Sequence, residues 1–149
     1  MGGQHLHRPV IAPAIADDAD RVVALWQSCG LTRPWNDPHA DVARALSGAT
    51  STILLAREEG HTIGSVMVGH DGHRGWLYYL AVAPDRQGQG IGRALFTAAE
   101  DWLRDAGAPK LQLMVRSDND AALGFYRAIG LTRQDVVVLG RFLTADGPT

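Results

Sequence analysis

Cysteine is nearly absent from this sequence, because Cys29 is the only one among 149 residues. A single cysteine excludes a framework of internal disulfides, on which many small secreted domains depend. We interpret Cys29 as a small apolar residue buried near a helix end rather than as a nucleophile. This cysteine usage favours the reducing cytoplasm.

Charge of one sign and long apolar runs are also missing. The 14 basic and 16 acidic residues leave a net charge of -2, and the basic residues are scattered, so we expect no nucleic-acid partner. No apolar run approaches the length of a membrane span, and the first residues, MGGQHLHRP, lack the apolar stretch of a signal peptide. The sequence therefore predicts a cytoplasmic protein without a membrane partner.

The composition that is present, 46% hydrophobic and 20% charged, is ordinary for a globular domain. The length predicts one domain, residues 1–149, with its core at about 10–142. Apolar and β-branched runs predict strands at residues 10–14, 52–57, 61–68, 76–82, 110–115 and 134–142. Helical spacing predicts four helices between them. The order β-α-α-β-β-β-α-β-α-β indicates an α/β (α+β) domain with a mixed sheet.

Local signals mark the ends of these elements. The expected signals at helix starts are Asp17, Pro38 and Asp118. The expected terminal glycines are Gly30, Gly48, Gly107 and Gly130. The expected core face of the third helix is Ile91, Leu95, Ala98 and Trp102. Two dipeptides, Glu59-Gly60 and Asp71-Gly72, predict hairpin turns.

The stretch VAPDRQGQGIGRAL, residues 82–95, places Gly88, Gly90 and Gly92 between an apolar strand and an apolar helix. Glycine costs backbone entropy, so this cluster indicates that something must approach bare backbone. A strand that enters such a turn and then a helix leaves free N–H groups at the helix N-terminus, where the helix dipole also favours an anion. The segment therefore predicts a phosphate- or pyrophosphate-binding turn.

Two common phosphate motifs do not fit this segment. The nucleoside-triphosphate P-loop requires Lys and then Ser or Thr after its last glycine, whereas Arg93 and Ala94 follow here. The dinucleotide fingerprint would require glycine at Arg93, and it normally follows the first strand of its unit. A nucleotide-binding Rossmann domain is therefore disfavoured. The pattern that fits is Gln/Arg-x-x-Gly-x-Gly/Ala, from Gln87 to Gly92.

The segment LAVAPDRQGQGIGRAL resembles the acetyl-CoA-binding motif of the GNAT superfamily of N-acetyltransferases. A second stretch, SDNDAALGFYRAIGL, is similar to a later signature of that family, with Asn119, Ala122, Tyr126 and the pair Gly130-Leu131. The order of elements agrees as well, so the resemblance covers nearly the whole chain. It implies a GNAT-like, mostly antiparallel sheet flanked by four helices. RPWNDP and DGHRGWLYYLAV are similar to the small bacterial YpeA-type branch.

The resemblance implies acetyl-CoA (CoA) as the cofactor. In the family, amides of the glycine turn hold the pyrophosphate, and the preceding strand pairs with the pantetheine arm. The implied cofactor-binding residues are Leu80, Ala81, Val82, Gln87, Gly88, Gln89, Gly90, Ile91, Gly92, Arg93, Asn119, Ala122 and Tyr126.

The reaction implied by the resemblance is direct transfer of an acetyl group from the thioester to a primary amine. A backbone amide within 80–82 is implied as the donor to the carbonyl oxygen, and Tyr126 as the proton donor to the departing thiolate. The base stays open, because Met114 stands where RimI-type ribosomal-protein acetyltransferases carry Glu. Either another side chain or a water relayed to Tyr78 or Tyr79 is expected to take the proton.

The acceptor pocket is expected at Trp35, Asn36 and Asp37, between the first two helices, together with Tyr78 and Tyr79. An indole face attracts a cation, and Asp37 offers a counter-charge. The competing interpretation makes Asn36 or Asp37 a helix cap and Trp35 a core residue. Expected acceptors are a small-molecule amine, a peptide N-terminus or a lysine, and the expected oligomeric state is a monomer or homodimer.

His70, Asp71 and His73 lie close together but lack a distant fourth ligand, so we expect no metal, whereas contact of Asp71 or His73 with the substrate stays open. The alternative function is a non-catalytic domain of the same fold that binds acyl-CoA as a sensor or partner. Met114 favours that alternative, and Tyr126 argues against it.

Overall fold

The computed structural model describes residues 9–144; residues 1–8, on which the signal-peptide argument depends, lie outside the described residues. The strands are β1 (Val10–Pro13), β2 (Ser51–Glu58), β3 (His61–His70), β4 (Gly75–Val82) and β5 (Leu111–Leu113). The α-helices are α1 (Ala19–Ser28), α2 (Pro38–Ser47), α3 (Ile91–Asp105) and α4 (Asp120–Ala128). Short 3-10 helices, Ala16–Asp18 and Pro84–Arg86, follow β1 and β4.

The five strands form one sheet in the order β1-β2-β3-β4-β5. Neighbours from β1 to β4 are antiparallel, whereas β5 runs parallel to β4, with Gly75 opposite Leu111 and Leu77 opposite Leu113. The parallel pair requires a crossover, which α3 provides. The predicted mixed and mostly antiparallel sheet is confirmed.

A hydrophobic core lies on each face of the sheet. One core contains the buried face of α3, and the other contains the buried faces of α1 and α2. β2 serves both, because Leu54 and Ala56 join the first core while Ile53 and Leu55 join the second. This alternation is what the period of two along a strand produces when both faces are covered.

Both predicted hairpin turns are present. Glu59 and Gly60 have φ values of 52° and 80°, and a type I′ turn requires the left-handed region at both positions. In the second turn, Asp71 Oδ1 accepts hydrogen bonds from the backbone N–H groups of His73 and Arg74 at 2.9 and 2.8 Å. These local bonds explain why β3 and β4 are adjacent.

Most of the predicted helix ends are confirmed. Gly30, Gly107 and Gly130 follow α1, α3 and α4 with φ values of 69°, 83° and 99°, a conformation that favours glycine. Pro38 begins α2, and α2 ends before Gly48. The Gly30 and Leu31 N–H groups return to carbonyls of the last turn of α1, as in a Schellman motif.

Two predicted caps are wrong by one residue. The N-cap position of α1 is Asp18 rather than Asp17, but the buried Asp18 carboxylate makes no capping hydrogen bond to α1. It accepts the Ile15 N–H at 2.8 Å and pairs with Arg57 of β2 at 2.6 Å. Asn119, not Asp118, caps α4. Adjacent Asp and Asn residues have similar capping preferences, so the sequence pattern does not distinguish between them.

The buried face of α3 differs from the predicted one. Leu95 and Ile91 are buried as expected, but Ala98 and Trp102 are only half-buried. The other fully buried positions are Phe96, Ala99 and Leu103. The reason lies in β4, where a Cβ at Gly75 would stand 2.6 Å from the Leu103 side chain. The missing side chain at Gly75 lets Leu103 reach the sheet.

The predicted sixth strand, residues 134–142, is wrong. Within residues 9–144 the sheet ends at β5, and residues 134–142 contain no strand. The Leu139 side chain is 90% exposed. A β-branched run becomes a strand only when a neighbouring strand satisfies its backbone, and none of the described strands pairs with this one.

The helices in the described part of the chain are short, and the longest, α3, has 15 residues. None of those within 9–144 has the length and apolar character to cross a membrane.

Candidate active site

The glycine-rich turn runs from the end of β4 into α3. Gly88 and Gly90 have φ values of 78° and 81°, and Gly90 is the N-cap of α3. A Cβ added at either glycine would meet no atom within 4 Å. The backbone conformation, rather than crowding by the protein, therefore requires these two glycines.

The backbone N–H groups of this turn are free. Among residues 9–144, no hydrogen bond is donated by the N–H groups from Gln87 to Arg93, and the first helical return bond is from the Ala94 N–H to the Gly90 carbonyl at 3.1 Å. Unpaired N–H groups at the start of a helix carry partial positive charge and point toward an anion. This turn therefore fits a phosphate or pyrophosphate, as the sequence predicts.

Gly92 has a different role from the other two glycines. Its φ lies outside the left-handed region, and an added Cβ would lie 3.5 Å from Phe125 Cζ and 3.6 Å from Val82 Cγ2. Both are ordinary van der Waals distances. A Cβ at Gly92 would therefore fit between β4 and α4, so neither backbone conformation nor crowding by these neighbours requires glycine there.

Arg86 anchors the turn to the sheet. Its guanidinium is ion-paired with Glu58 at the end of β2. A second guanidinium nitrogen lies 3.4 Å from Gln89 Oε1. Both side chains of the ion pair are partly buried, so solvent screens the pair less than it would at the surface. Arg86 therefore joins the glycine turn to the end of β2.

β4 has an open edge beside this turn. Pairing with β5 covers only Gly75 to Leu77, so the backbone from Tyr78 to Val82 has no β5 partner. The implied cofactor contacts Leu80, Ala81 and Val82 lie on this open edge. An extended arm with amide groups can form main-chain hydrogen bonds there, as a strand does when it is added to a sheet edge.

β4 also contains a β-bulge. Ser65 pairs with Ala81 and Met67 with Tyr78, so Tyr79 and Leu80 together oppose the single residue Val66. Leu77 and Leu80 both belong to the core under α3, and Tyr79 between them belongs to the opposite core. The bulge thus changes the side-chain alternation of β4 at the point where its open edge begins.

Tyr79 is held at both its backbone and its side chain. Its φ is 52°, which is unusual for a residue with a side chain. Its ring stacks on Trp26 with centroids 3.7 Å apart, and its hydroxyl donates to Asp41 Oδ2 at 2.8 Å. Its carbonyl accepts from Ser65 Oγ at 3.0 Å, and Ser65 Oγ accepts from Trp26 Nε1 at 3.0 Å. We call Trp26, Asp41, Ser65 and Tyr79 the Tyr79 clamp.

The clamp compensates for the backbone strain at Tyr79. A left-handed residue other than glycine costs about 1–3 kcal/mol. The two hydrogen bonds on Tyr79 contribute about 1 kcal/mol each, and a ring stack adds about 0.5–1.5 kcal/mol. Burial, together with the bond to Asp41, raises the pKa of Tyr79 well above its usual value, so the hydroxyl remains a donor.

Tyr126 of α4 has a ring that is packed and a hydroxyl that is free. The ring lies near Phe96 and Phe125, with centroid distances of 6.2 and 5.1 Å. Within residues 9–144 the hydroxyl makes no hydrogen bond. Burial raises the pKa of Tyr126 to about 12. The phenol is therefore protonated at neutral pH and has a proton to donate.

The implied cofactor contacts Asn119 and Ala122 lie at the start of α4, and Met114 lies after β5. Asn119 Oδ1 accepts the Ala122 N–H at 3.1 Å, so this carbonyl oxygen serves as the helix cap. Ala122 is half-buried on α4. Met114 follows β5 and is 49% exposed, which leaves no carboxylate at that position. Met114 therefore supplies no base.

A cleft of about 340 Å³ lies at the hairpin end of β3 and β4. Tyr78 borders it at the point where the open edge of β4 begins. The lining residues are Thr50, Ser51, Met67, Val68, Gly69, His70, Asp71, Trp76 and Tyr78. Hydrogen bonds from the backbone of Arg74 and His73 lower the pKa of Asp71 to about 2, so the cleft carries one negative charge at neutral pH.

The predicted acceptor residues do not all line this cleft. Tyr78 lines the cleft, whereas Trp35, Asn36, Asp37 and Tyr79 do not. Asp37 Oδ1 caps α2 by accepting the N–H groups of His39 and Ala40 at 3.1 and 3.2 Å, as the competing interpretation predicts. Trp35 is 38% exposed and is not a core residue. Asn36 is exposed on the same loop.

Hydrogen bonds within the protein engage both the Cys29 thiol and the Asp71 carboxylate of the His70–His73 segment. The Cys29 thiol donates to the Val82 carbonyl at 3.3 Å, and its side chain is half-buried beside the core under α1 and α2. Asp71 also accepts from Trp76 Nε1 at 3.3 Å, so both of its oxygens serve the hairpin.

Sequence reasoning missed four residues that shape this site. Trp26, Asp41 and Ser65 act through long-range contacts with Tyr79, and Arg86 acts through Glu58. Arg86 does stand beside the glycine motif, which is a local signal. For the other three the sequence offers no comparable signal, because their partners lie 38, 39 and 14 residues away.

Comparison with known proteins gives a family. The model of the acetyltransferase (GNAT) family matches residues 19–131, which include the glycine turn, the open edge of β4 and α4. The chain belongs to this family. Membership of the GNAT family identifies it as an acetyltransferase, with acetyl-CoA as the cofactor.

Curated relatives of this GNAT chain carry the same description. A protein of Yersinia pestis (strain Pestoides F) named acetyltransferase is 46% identical over 130 residues, covering 87% of this chain and 92% of the relative. An acetyltransferase of Pectobacterium atrosepticum is also 46% identical, with the same coverage.

Solved structures show the same fold. AAC(6')-Iy in complex with the bisubstrate analogue CoA-S-monomethyl-acetylneamine has a TM-score of 0.78 and 17% identity, covering 91% of this chain and 99% of that one. A ribosomal-protein-alanine N-acetyltransferase from Brucella melitensis has a TM-score of 0.74 and 24% identity, covering 91% and 100%. At these identities the likeness establishes the GNAT fold.

Proposed function

We propose that this enzyme acetylates a primary amine by direct attack on the thioester of acetyl-CoA, without a covalent enzyme intermediate. The observation that carries the proposal is the row of free N–H groups from Gln87 to Arg93, next to the open edge of β4. The reaction joins the amine nitrogen to the acetyl carbon and releases CoA as a thiol.

The glycine turn and β4 divide the binding of the cofactor between them. The N–H groups at the start of α3 are suited to the pyrophosphate, because they and the helix dipole attract negative charge. Leu80, Ala81 and Val82 are suited to an amide-containing arm, since their edge is unpaired. A backbone N–H in this stretch is also the proposed donor to the carbonyl oxygen, where negative charge develops.

Tyr126 is the proposed proton donor. A thiol has a pKa of about 8.5, so a departing thiolate gains from protonation at neutral pH. The Tyr126 hydroxyl is protonated and engaged by no described residue, and its ring is fixed by packing. Asn119 and Ala122 lie at the start of the same helix and are proposed to contact the cofactor.

The acceptor is proposed to reach the thioester past Tyr78. The cleft beside Tyr78 combines the aromatic side chains of Trp76 and Tyr78 with the ionised Asp71, a combination that attracts a protonated amine. The amine must lose its proton before attack, and a water relayed to Tyr78 or to backbone is the proposed route. Binding of the acceptor by Trp35, Asn36, Asp37 and Tyr79 stays a prediction.

The class of the acceptor amine can be determined by comparing transfer to different acceptors. The structural neighbours include an aminoglycoside acetyltransferase in complex with sisomicin and a ribosomal-protein-alanine N-acetyltransferase. A small-molecule amine, a peptide N-terminus and a lysine therefore remain the candidate acceptors. A cytoplasmic location and a monomeric or homodimeric state also stay predictions.

The test measures both binding and transfer. Calorimetry with CoA should show binding, and acetyl-CoA should release thiol in the presence of sisomicin, an alanine-initiated peptide or a lysine peptide with a blocked N-terminus. Mass spectrometry should find the acetyl group on the acceptor. Binding of CoA without transfer to any acceptor class would favour the non-catalytic alternative, and failure to bind CoA would contradict the proposal.

A further inference from the structure

We infer that Tyr79 is a positioning residue for acetyl transfer, which ties helix α2 to the bulge of β4 and thereby holds the open edge of β4 in its reactive geometry. This inference rests on the proposed function. It assigns Tyr79 a role different from the acceptor contact that the sequence predicts.

The first observation is where the clamp acts. Its hydrogen bonds converge on one residue, at the hydroxyl and at the carbonyl of Tyr79. That residue has a φ of 52° and lies in the bulge, directly before Leu80 and Ala81. Strained backbone persists where its surroundings determine it from several sides, and such sites cluster where a precise geometry is needed.

The second observation is that packing alone does not require the hydroxyl groups of Tyr79 and Ser65. The Tyr79 ring already covers Trp26 as a near-parallel stack, with an angle of 7° between the rings. Ser65 is fully buried, yet it has a hydroxyl that both accepts from Trp26 and donates to the Tyr79 carbonyl. A buried hydroxyl in such a relay fixes the direction of the peptide group that it contacts.

The third observation is the position of Asp41. It lies in the first turn of α2, one turn after the Asp37 cap, and Arg44 pairs with its second oxygen at 2.6 Å. The Tyr79 hydroxyl therefore joins α2 to the bulge through a side chain that is itself fixed. A shift of α2 would change the orientation of Tyr79 and of the β4 backbone that follows it.

The test compares Tyr79→Phe with Asp41→Ala, Asp41→Asn and the double variant Tyr79→Phe/Asp41→Ala. Tyr79→Phe keeps the ring stack and loses only the bond to Asp41. We expect kcat to fall by roughly 10- to 100-fold, because small displacements from reactive geometry are costly, while the Kd for CoA changes little. Asp41→Asn keeps an acceptor oxygen and should retain most of kcat, and the double variant should lose no more than either single variant.

The control is His39→Gln. His39 Nε2 lies 3.0 Å from Asp20 Oδ1, so this pair also joins α2 to α1, but it does not contact the bulge. His39→Gln should leave kcat unchanged. If it lowers kcat as much as Tyr79→Phe does, general loosening of α2 explains the effect and the inference fails.

A second measurement separates this inference from the proposed function. Amide hydrogen exchange at residues 79–82 reports the backbone edge without any substrate, and it should become faster in Tyr79→Phe and in Ser65→Ala. Unchanged exchange and unchanged kcat in folded Tyr79→Phe would overturn the positioning role. Absence of transfer by the wild type would contradict the proposed function, while the exchange data would still decide whether the clamp holds the edge.

Discussion

Two tyrosines of this chain are kept protonated, and their hydroxyl groups serve different purposes. Burial raises the pKa of Tyr126 to about 12, and its hydroxyl has no partner among residues 9–144. Burial and the bond to Asp41 raise the pKa of Tyr79, and its hydroxyl is occupied. At the scale of single residues, a partner therefore distinguishes a candidate proton donor from a residue that holds the structure.

Replacing Tyr126 with Phe tests the proton-donor role. The ring packs on Phe96 and Phe125, and Phe keeps that packing, so we expect little change in Tm. If the hydroxyl protonates the thiolate, kcat should fall by roughly 10–1,000-fold while the Kd for CoA stays similar. Stopped-flow release of thiol and calorimetry measure the two quantities. A wild-type kcat in this variant would leave Tyr126 with packing alone.

The pKa of Tyr126 also predicts a pH profile. The folded pKa of about 12 lies above the usual value of 10.0, so the native state binds this proton more tightly than the unfolded state. Stability from this difference is present below pH 10.0 and is lost as the pH rises toward 12. Tyr126 should therefore cause no alkaline fall in kcat below about pH 10. The base would instead make kcat fall on the acid side of its pKa, because a base must be deprotonated to act.

Helix α3 is flanked by two glycines of the same backbone conformation, Gly90 and Gly107. A substitution at Gly107 is therefore a matched control for the same substitution at Gly90. Gly90 and Gly107 have φ values of 81° and 83°, and an added Cβ at either would meet no atom within 4 Å. Alanine at either position should therefore cost a similar roughly 1–2 kcal/mol. Valine would be a poorer probe, because β-branching adds strain in the left-handed region.

We expect Gly90→Ala, but not Gly107→Ala, to weaken the binding of CoA. The new methyl group stands at the free N–H groups and holds the pyrophosphate away from them. Loss of one charge-assisted bond corresponds to about a tenfold increase in Kd, or more. Calorimetry on both variants measures this. Equal affinities for CoA in both variants would show that the pyrophosphate lies elsewhere.

At the start of α2, Asp37 has a capping role that can be separated from its charge. Asparagine caps a helix about as well as aspartate, whereas alanine costs about 1 kcal/mol. Asp37→Asn should therefore keep the Tm and, if the charge binds the acceptor amine, raise the KM for that amine. Asp37→Ala should lower the Tm as well. An acceptor KM that stays unchanged in Asp37→Asn would place the acceptor site away from this loop.

At the scale of the whole molecule, stability comes from the two cores and not from residues 134–142. Leu95 is fully buried in the core under α3, whereas Leu139 is 90% exposed. We expect Leu95→Ala to lower the free energy of unfolding by about 2–5 kcal/mol and Leu139→Ser to change it by less than about 0.5 kcal/mol. Urea denaturation measures both. A large loss in Leu139→Ser would show that this segment is paired, as the sequence predicts.

Local features of the chain were predictable because their causes are local. The glycine turn, the Gly30 and Gly130 helix ends and the two hairpins each depend on residues within a few positions of one another. The resemblance to the GNAT family rests on two such segments, at residues 80–95 and 117–131. For this reason the fold, the family and the cofactor could be predicted before any contact was known.

The sequence by itself determined the order of the elements from β1 to α4 and the position of the glycine turn between β4 and α3. Only the tertiary structure decided how the site is held, because the bonds from Tyr79 to Asp41 and from Trp26 to Ser65 join residues 38 and 39 positions apart. It also decided that the Asp18 carboxylate pairs with Arg57 of β2 and makes no capping hydrogen bond to α1. The bulge at Tyr79 depends on two facing strands, and residues 134–142 remain outside the sheet since no described strand pairs with them. Such choices depend on a partner that the linear chain does not identify.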